Sequence, residues 1–182
     1  MVTLVIGGSG SGKSEYAEGL ILSRGKGKRI YIATMKPWDE ECEMRILRHR
    51  QMRADKEFDT VECYRNLKHL DFQDHGAFSD VLLECMSNLV SNELFGLGEK
   101  GEKLLSPKET VDEVMAGVIR LKEQAENIII VTNEVFSDGD HYSRQTNQYR
   151  EVLGKINRQV ACIADEVIEV TAGIPIFLKG IN

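Results

Sequence analysis

The sequence predicts an α/β fold in which a mostly parallel sheet is flanked by helices. Short apolar segments of strand length alternate with longer helical segments along the 182 residues. This alternation is typical of a parallel sheet covered by helices on both faces. In addition, a glycine-rich loop lies directly between the first strand and the first helix, where such proteins bind phosphate groups. The chain contains no repeat or linker that would divide it, so we expect residues 1–182 to form one domain.

The predicted elements follow one another in a regular order. The strand candidates are short and apolar, and they cover residues 2–6, 29–34, 60–63, 80–84, 127–131, 166–171 and 174–179. The helix candidates cover residues 15–22, 39–53, 86–95 and 107–126, with a weak one at 67–72 and a long one that ends near residue 165. The clearest helix start is at Ser106, which precedes Pro107 and stands three residues before Glu109, as in a capping box.

The loop after the first strand reads GGSGSGKS at residues 7–14. It fits the phosphate-binding pattern G-x-x-x-x-G-K-[ST] in the strand-loop-helix context that supports such a match. Its glycines allow several backbone N–H groups to converge on an anion, Lys13 would reach the β- and γ-phosphates, and the Ser14 hydroxyl would hold Mg²⁺. An ordinary glycine-rich turn is the alternative, and the flanking strand and helix argue against it. We therefore predict that a nucleoside triphosphate is bound by Gly7, Gly8, Ser9, Gly10, Ser11, Gly12, Lys13 and Ser14.

Composition narrows the class of protein. Hydrophobic residues make up 42% of the chain and charged residues 29%, as in ordinary globular proteins. The formal net charge of −6 argues against a general nucleic-acid binder, which usually carries a basic face. The four cysteines are far apart and include no C-x-x-C pair, so metal binding or redox chemistry by cysteines is not expected. No segment has the length or the apolar character of a membrane anchor or a signal peptide, and we expect a cytoplasmic protein.

Acidic residues end several of the predicted strands. Glu84 ends an apolar strand whose carboxyl edge is expected beside the phosphate loop, where a carboxylate can hold Mg²⁺ or polarise an attacking hydroxyl. A glutamate that merely faces solvent is the alternative, and we favour the functional interpretation. Glu62, within the strand candidate 60–63, is included among the nucleotide-binding residues. Glu134 could orient a substrate hydroxyl or Mg²⁺, but a plain cap of the following loop explains it equally well.

His49 lies among basic residues on the helix predicted at 39–53. Arg45 precedes it by four residues and Arg53 follows it by four, so the three share one side of the helix. Two neighbouring cations would lower the pKa of the imidazole and keep it neutral, hence nucleophilic, while the arginines could bind a triphosphate. A neutral histidine in that setting could attack the α-phosphorus of a nucleotide. From spacing alone, however, a solvated basic helix face with an incidental histidine is the favoured interpretation.

Several segments together resemble one family in order and spacing. They are the loop at 7–14, the helix segment from Arg45 through His49 to Arg53, Leu82-Leu83-Glu84-Cys85, Val131-Thr132-Asn133-Glu134-Val135, the stretch 154–167 and Gly173-Ile174-Pro175. The family is the bifunctional adenosylcobinamide kinase / adenosylcobinamide-phosphate guanylyltransferase of cobalamin biosynthesis. The resemblance covers nearly the whole chain. The sequence departs from the family pattern in the loop 135–141, at Asn147 and at Ala54.

The resemblance implies a RecA-like P-loop NTPase fold, usually in a homotrimer, with two successive reactions. ATP or GTP phosphorylates the hydroxyl of adenosylcobinamide, and GMP is then transferred from GTP to adenosylcobinamide phosphate through a guanylylated histidine, with release of pyrophosphate. The family's histidine falls on His49, which reverses the interpretation from spacing, so His49, Lys13 and Glu84 become the expected catalytic residues. Arg45, Arg53, Glu62 and Glu84 join the loop as expected nucleotide-binding residues, and Ser14 and Glu84 as those that hold Mg²⁺. Two alternatives stay open: another P-loop small-molecule kinase without a covalent intermediate, and a GTP-sensing module without turnover.

Overall fold

The structure is a computed structural model of the protein. It describes residues 1–24, 27–37, 39–53, 56–72, 78–137, 139 and 142–180, with the backbone but not the side chains of Glu41, Arg45, His49, Met52 and Arg53. Within these residues a single sheet forms the centre of the molecule. None of the described helices has both the length and the apolar character needed to cross a membrane.

In the described part of the chain the sheet has seven strands in the order β3-β2-β4-β5-β1-β6-β7. Their bounds are β1 Val2–Gly7, β2 Arg29–Ala33, β3 Phe58–Glu62, β4 Asp80–Glu84, β5 Asn127–Asn133, β6 Glu166–Thr171 and β7 Ile174–Lys179. β1 to β6 pair in parallel, and β7 pairs antiparallel with β6 across a short turn at 172–173. The predicted mostly parallel sheet is therefore confirmed, with an antiparallel strand at one edge.

Helices cover both faces of the sheet. The described helices are α1 Lys13–Arg24, α2 Glu40–Arg53, α3 Met86–Phe95, α4 Pro107–Gln124 and α5 Arg144–Ile163. Side chains alternate between the faces along each strand, so successive residues of the apolar strand β5 enter different cores. Ile128 and Ile130 pack in the larger core with α3, α4 and α5, whereas Ile129 and Val131 pack in the smaller core with α1. Burial on both faces explains why β5 is apolar without interruption.

Most predicted boundaries lie within a few residues of the observed ones. The prediction of a helix at 67–72 was wrong in extent, because only a 3₁₀ turn at Leu67–His69 forms. Asn66 before it has a left-handed backbone (φ 57°) and Leu70 after it is extended, so the helix cannot propagate in either direction. The start at Ser106 is confirmed: its hydroxyl accepts the N–H of Glu109, whose carboxylate accepts the N–H of Ser106.

The fold brings the carboxyl ends of the parallel strands to one edge of the sheet. β1 ends there in Gly7, β4 in Glu84, β5 in Asn133 and β3 in Glu62. Parallel α/β sheets bind ligands at this edge, in the crevice beyond the strands. Helix α2 contributes no described side chain to either core and instead borders that crevice.

Candidate functional site

The loop at residues 7–14 turns sharply between β1 and α1. Gly10 and Gly12 have φ angles of 71° and 88°, a region that favours glycine. The N–H of Ser11 donates to the carbonyl of Gly8 over 3.2 Å, and that of Tyr16 donates to Gly12 over 3.0 Å, which joins the loop to the first turn of α1. The loop therefore leads directly into the amino end of a helix, a position that favours phosphate anions.

Neighbouring strands hold this loop from two sides. The carbonyl of Gly7 accepts the N–H of Glu134 over 2.9 Å, and the carbonyl of Ser11 accepts the N–H of Gly173 over 2.8 Å. A Cβ on Gly7 would lie 2.5 Å from Oγ of Ser11 and 2.6 Å from the carbonyl oxygen of Val170, so the packing leaves no room for a side chain. The conformation of the loop is thus fixed by β5 on one side and by the β6–β7 turn on the other.

Lys13 lies across the loop. Only 8% of the residue is exposed, and its Nζ donates to the carbonyl oxygen of Gly8 over 3.0 Å. This contact places a positive charge at the loop, where it would complement the negative charge of a polyphosphate. The structure thus places Lys13 at the loop, and its role in binding a nucleotide stays a prediction.

Glu84 faces the loop rather than solvent. The Ser14 hydroxyl donates to Oε1 of Glu84, and the hydroxyl of Tyr31 donates to Oε2 over 3.1 Å. The serine hydroxyl and the carboxylate predicted to hold Mg²⁺ are therefore in direct contact. Tyr31 was missed by the sequence reasoning, because its strand is apolar and its ring packs in the smaller core.

A cavity of about 970 Å³ extends from the loop to helix α2. The described α2 residues that border it are Glu43, Met44, Ile46, Leu47, Arg48 and Arg50. Its volume is in the range of pockets that bind drug-sized molecules, about 300–1,000 Å³. His49 immediately precedes Arg50 on this helix, and the side chains of Arg45, His49 and Arg53 lie outside the described residues. The site thus has one wall formed by the predicted phosphate loop and a second formed by the predicted basic helix.

Glu62 belongs to the second wall. Its Oε1 accepts a hydrogen bond from Arg50 over 2.8 Å, and its Oε2 accepts one from the Tyr64 hydroxyl over 2.8 Å. Burial, together with the hydrogen bond to Glu62, raises the pKa of Tyr64 to about 12, so the phenol remains a donor at neutral pH. Neither Arg50 nor Tyr64 was predicted from the sequence to be a nucleotide-binding residue, because only the fold brings α2 over the end of β3.

The remaining candidates have structural contacts. Glu134 caps its own loop, since its Oε1 accepts the N–H groups of Phe136 and Ser137. Burial raises the pKa of the Cys85 thiol and raises that of Cys63 to about 11, so both are protonated at neutral pH and are poor nucleophiles. Among the described residues no group of three or more histidine, cysteine or acidic side chains could hold a metal ion on its own.

These features define what the site can do. It can bind a polyphosphate at the loop, position a carboxylate beside the serine hydroxyl, and accommodate the rest of a nucleotide against Glu62 and Arg50. Phosphoryl transfer requires little more than such positioning and charge neutralisation. A nucleophile for nucleotidyl transfer must come from another group, and His49 is the candidate from the sequence.

Comparison with known proteins gives a consistent result. Residues 3–178 match the family model for cobinamide kinase / cobinamide phosphate guanyltransferase. The bifunctional adenosylcobalamin biosynthesis protein CobU of Escherichia coli K12 is 36% identical, and the one of Salmonella typhimurium LT2 is 34% identical. Each alignment covers 98% of this chain and 100% of the relative.

Among solved structures, the flagellar accessory protein FlaH of Methanocaldococcus jannaschii has a similar fold. The TM-score is 0.54 with 13% sequence identity, and the match covers 98% of this chain and 77% of the other. At that identity the likeness concerns the fold alone, and it agrees with the mostly parallel sheet flanked by helices.

Proposed function

The chain belongs to the cobinamide kinase / cobinamide phosphate guanyltransferase family, and from that premise we propose how its own residues carry out the two reactions. The enzyme phosphorylates adenosylcobinamide with ATP or GTP, and it transfers GMP from GTP to adenosylcobinamide phosphate to give adenosylcobinamide-GDP. The observation that carries the proposal is a single cavity bordered by both the phosphate loop and helix α2. One site can therefore bind a triphosphate at one wall and supply a nucleophile from the other.

In the kinase step, the substrate hydroxyl attacks the γ-phosphorus while the bond to the β-phosphate bridging oxygen breaks. The N–H groups of residues 8–14 and the ammonium of Lys13 bind the phosphate oxygens on which negative charge is redistributed. Glu84 accepts the proton of the attacking hydroxyl, or orients that hydroxyl by accepting a hydrogen bond from it. Its own orientation is fixed by the hydrogen bonds from Ser14 and Tyr31.

A magnesium ion fits the same group of residues. Mg²⁺ prefers oxygen ligands and is commonly bound by one or two protein groups together with substrate phosphates. The Ser14 hydroxyl and the Glu84 carboxylate are in contact at the end of the loop and supply such oxygens. We propose that they hold Mg²⁺, which would neutralise charge on the β- and γ-phosphates.

In the guanylyltransferase step, a ring nitrogen of His49 attacks the α-phosphorus of GTP. The bond from that phosphorus to the bridging oxygen breaks, pyrophosphate leaves, and the imidazole loses its N–H proton to solvent. A phosphate oxygen of adenosylcobinamide phosphate then attacks the same phosphorus, the phosphorus–nitrogen bond breaks, and the ring takes a proton back from solvent, which restores the neutral imidazole. Arg45 and Arg53, four residues on either side, favour the neutral imidazole and bind phosphate oxygens. Glu62 contributes to binding of the nucleoside.

Labelling distinguishes this mechanism from its alternatives. Incubation with Mg²⁺ and GTP labelled at the α-phosphate is expected to leave acid-labile, base-stable label on the protein. The His49→Ala variant should lose the label, whereas His69→Ala, which alters an exposed histidine of the 3₁₀ turn, should retain it. Phosphorylation of cobinamide without label would indicate a kinase that lacks the covalent intermediate. Nucleotide binding with neither reaction would indicate a GTP sensor.

We further propose that the enzyme is a cytoplasmic homotrimer. All four cysteines are free thiols, as expected in a reducing compartment, and ATP and GTP are cytoplasmic substrates. Support for an assembly comes from β7, an edge strand with the exposed apolar side chains Ile174, Ile176, Phe177 and Leu178. Exposed apolar edge strands usually contact another chain. We propose that β7 contacts a second copy of this protein.

A further inference from the structure

Asn92 lies on α3, outside the cavity, and links the two strand ends that carry the cavity wall. It is 6% exposed, and its Nδ2 donates one hydrogen bond to the carbonyl of Thr34 and another to the carbonyl of Tyr64, each over 2.9 Å. Both partners are acceptors, so the amide nitrogen, with its two hydrogens, must face them. A single side chain therefore satisfies two carbonyls that belong to different segments.

These two carbonyls lie just beyond the point where β2 and β3 separate. The last backbone hydrogen bond between the two strands joins the N–H of Cys63 to the carbonyl of Ala33 over 2.9 Å. After it, the chain from β2 leads into α2, and the chain from β3 turns away through Tyr64. The amide of Asn92 takes the place of the missing strand pairing, and it thereby fixes the distance between the two chains.

The Thr34 side of this link leads to the phosphate wall. The N–H of Thr34 donates to the carbonyl of Glu84 over 3.0 Å, and its hydroxyl accepts the N–H of Cys85 over 2.7 Å. Thr34 thus holds both polar atoms of the peptide group that joins Glu84, the residue that contacts Ser14, to Cys85. The Tyr64 side leads to the second wall, because the Tyr64 hydroxyl donates to Glu62, which in turn accepts from Arg50 of α2.

We propose that Asn92 is a positioning residue for the nucleotide: it aligns the Glu62–Tyr64–Arg50 wall with the phosphate wall so that one nucleotide contacts both. The inference rests on the proposed binding of GTP in this cavity. Since the loop holds the phosphates, the nucleoside extends toward the second wall. Loss of the amide leaves two carbonyls without their donor, and the second wall then shifts relative to the loop.

Calorimetry with two ligands tests this role. The α,β-methylene analogue of GTP, which cannot release pyrophosphate, spans both walls, whereas inorganic tripolyphosphate occupies the loop alone. In the Asn92→Leu variant the Kd of the GTP analogue should rise at least about tenfold, because two hydrogen bonds that align the wall are lost. The Kd of tripolyphosphate should change by less than about twofold, since Lys13 and the loop are not contacted by Asn92. Asn92→Ser, which keeps one donor, should give an intermediate Kd.

Asn127→Leu is the matched control. Asn127 also donates through Nδ2, to Asp80 over 2.8 Å, but this bond lies at the amino ends of β4 and β5, away from the cavity. The Asn127→Leu variant should leave the Kd of the GTP analogue and the Kd of tripolyphosphate unchanged even if its melting temperature falls. Equal weakening of both ligands by Asn92→Leu, or no weakening of either, would overturn the inference, and Asn92→Ser decides the matter if the leucine variant does not fold. A wild-type protein that binds the analogue but forms no covalent label would contradict the proposed guanylyl transfer and leave this result valid.

Discussion

The hydroxyl of Ser14 donates a hydrogen bond to Oε1 of Glu84, which lies 70 residues further along the chain. Ser14 is at the start of α1 and Glu84 is at the end of β4. Helix α1 packs against one face of β4 in the smaller core. Because both positions are fixed by the buried core, the hydroxyl and the carboxylate meet with little freedom to separate. This contact is the geometric basis for assigning both residues to the same phosphates.

Replacement of Glu84 by glutamine is expected to lower kcat of the kinase reaction by about a hundredfold, because a neutral amide cannot take the proton and binds Mg²⁺ more weakly than a carboxylate does. Tyr31→Phe removes one hydrogen bond of about 0.5–1.5 kcal/mol from the same carboxylate. Its effect on kcat should therefore be about tenfold or less. Steady-state kinetics at several Mg²⁺ concentrations measure both. A Glu84→Gln enzyme with unchanged kcat and Mg²⁺ dependence would contradict the role of Glu84.

The two glycines that begin the loop should respond differently to a methyl group. In Gly7→Ala the new Cβ would meet Oγ of Ser11 at 2.5 Å and the Val170 carbonyl at 2.6 Å, whereas a Cβ on Gly8 meets nothing within 4 Å. Overpacking of this kind costs about 1–3 kcal/mol. Gly7→Ala should therefore lower the free energy of unfolding, measured with urea, while Gly8→Ala leaves it nearly unchanged. Equal stabilities of the two variants would show that the strand-side packing of the loop is not as described.

The hydrogen bond from Tyr64 to Glu62 predicts a late tyrosine titration. The pKa of Tyr64 is raised from 10.0 to about 12, first by burial and then by the bond to Glu62. Because the folded pKa is the higher one, the contribution of the protonated phenol to stability is fully present below pH 10. It is lost as the pH rises through about 12.

Ultraviolet absorbance of tyrosinate measures this titration. Tyr64→Phe should remove one proton equivalent from the titration phase near pH 12. Tyr149 titrates in the same phase, because burial raises its pKa to about 12 as well. Tyr149→Phe is the matched control. It should also remove one proton equivalent from this phase, although the Tyr149 hydroxyl bonds to the Ser87 carbonyl and not to Glu62. Loss of a proton equivalent near pH 10 from the Tyr64→Phe protein would show that the phenol is not bound to Glu62.

The phosphate-loop segment and the order of elements could be predicted from the sequence because their signals are local. β4 at Asp80–Glu84 and α3 at Met86–Phe95 match the predicted ranges, and the capping box at Ser106 is observed. The contacts of Tyr31, Arg50 and Asn92 could not be predicted, because each joins segments that only the packed sheet brings together. Spacing alone also favoured a solvated face for His49, and its covalent role stays a prediction that depends on the family resemblance.

Charge on β7 should dissociate the proposed trimer. Leu178→Glu, alone or with Ile176→Glu, places carboxylates among exposed apolar side chains of an edge strand, and burying an unpaired charge in an interface is unfavourable. Light scattering should give the mass of three chains for the wild type and of one chain for the double variant. Ile119→Glu is the matched control, because Ile119 is an exposed apolar residue of α4, away from this strand. A monomeric wild type, or a trimer that persists in the double variant, would show that copies do not associate through β7.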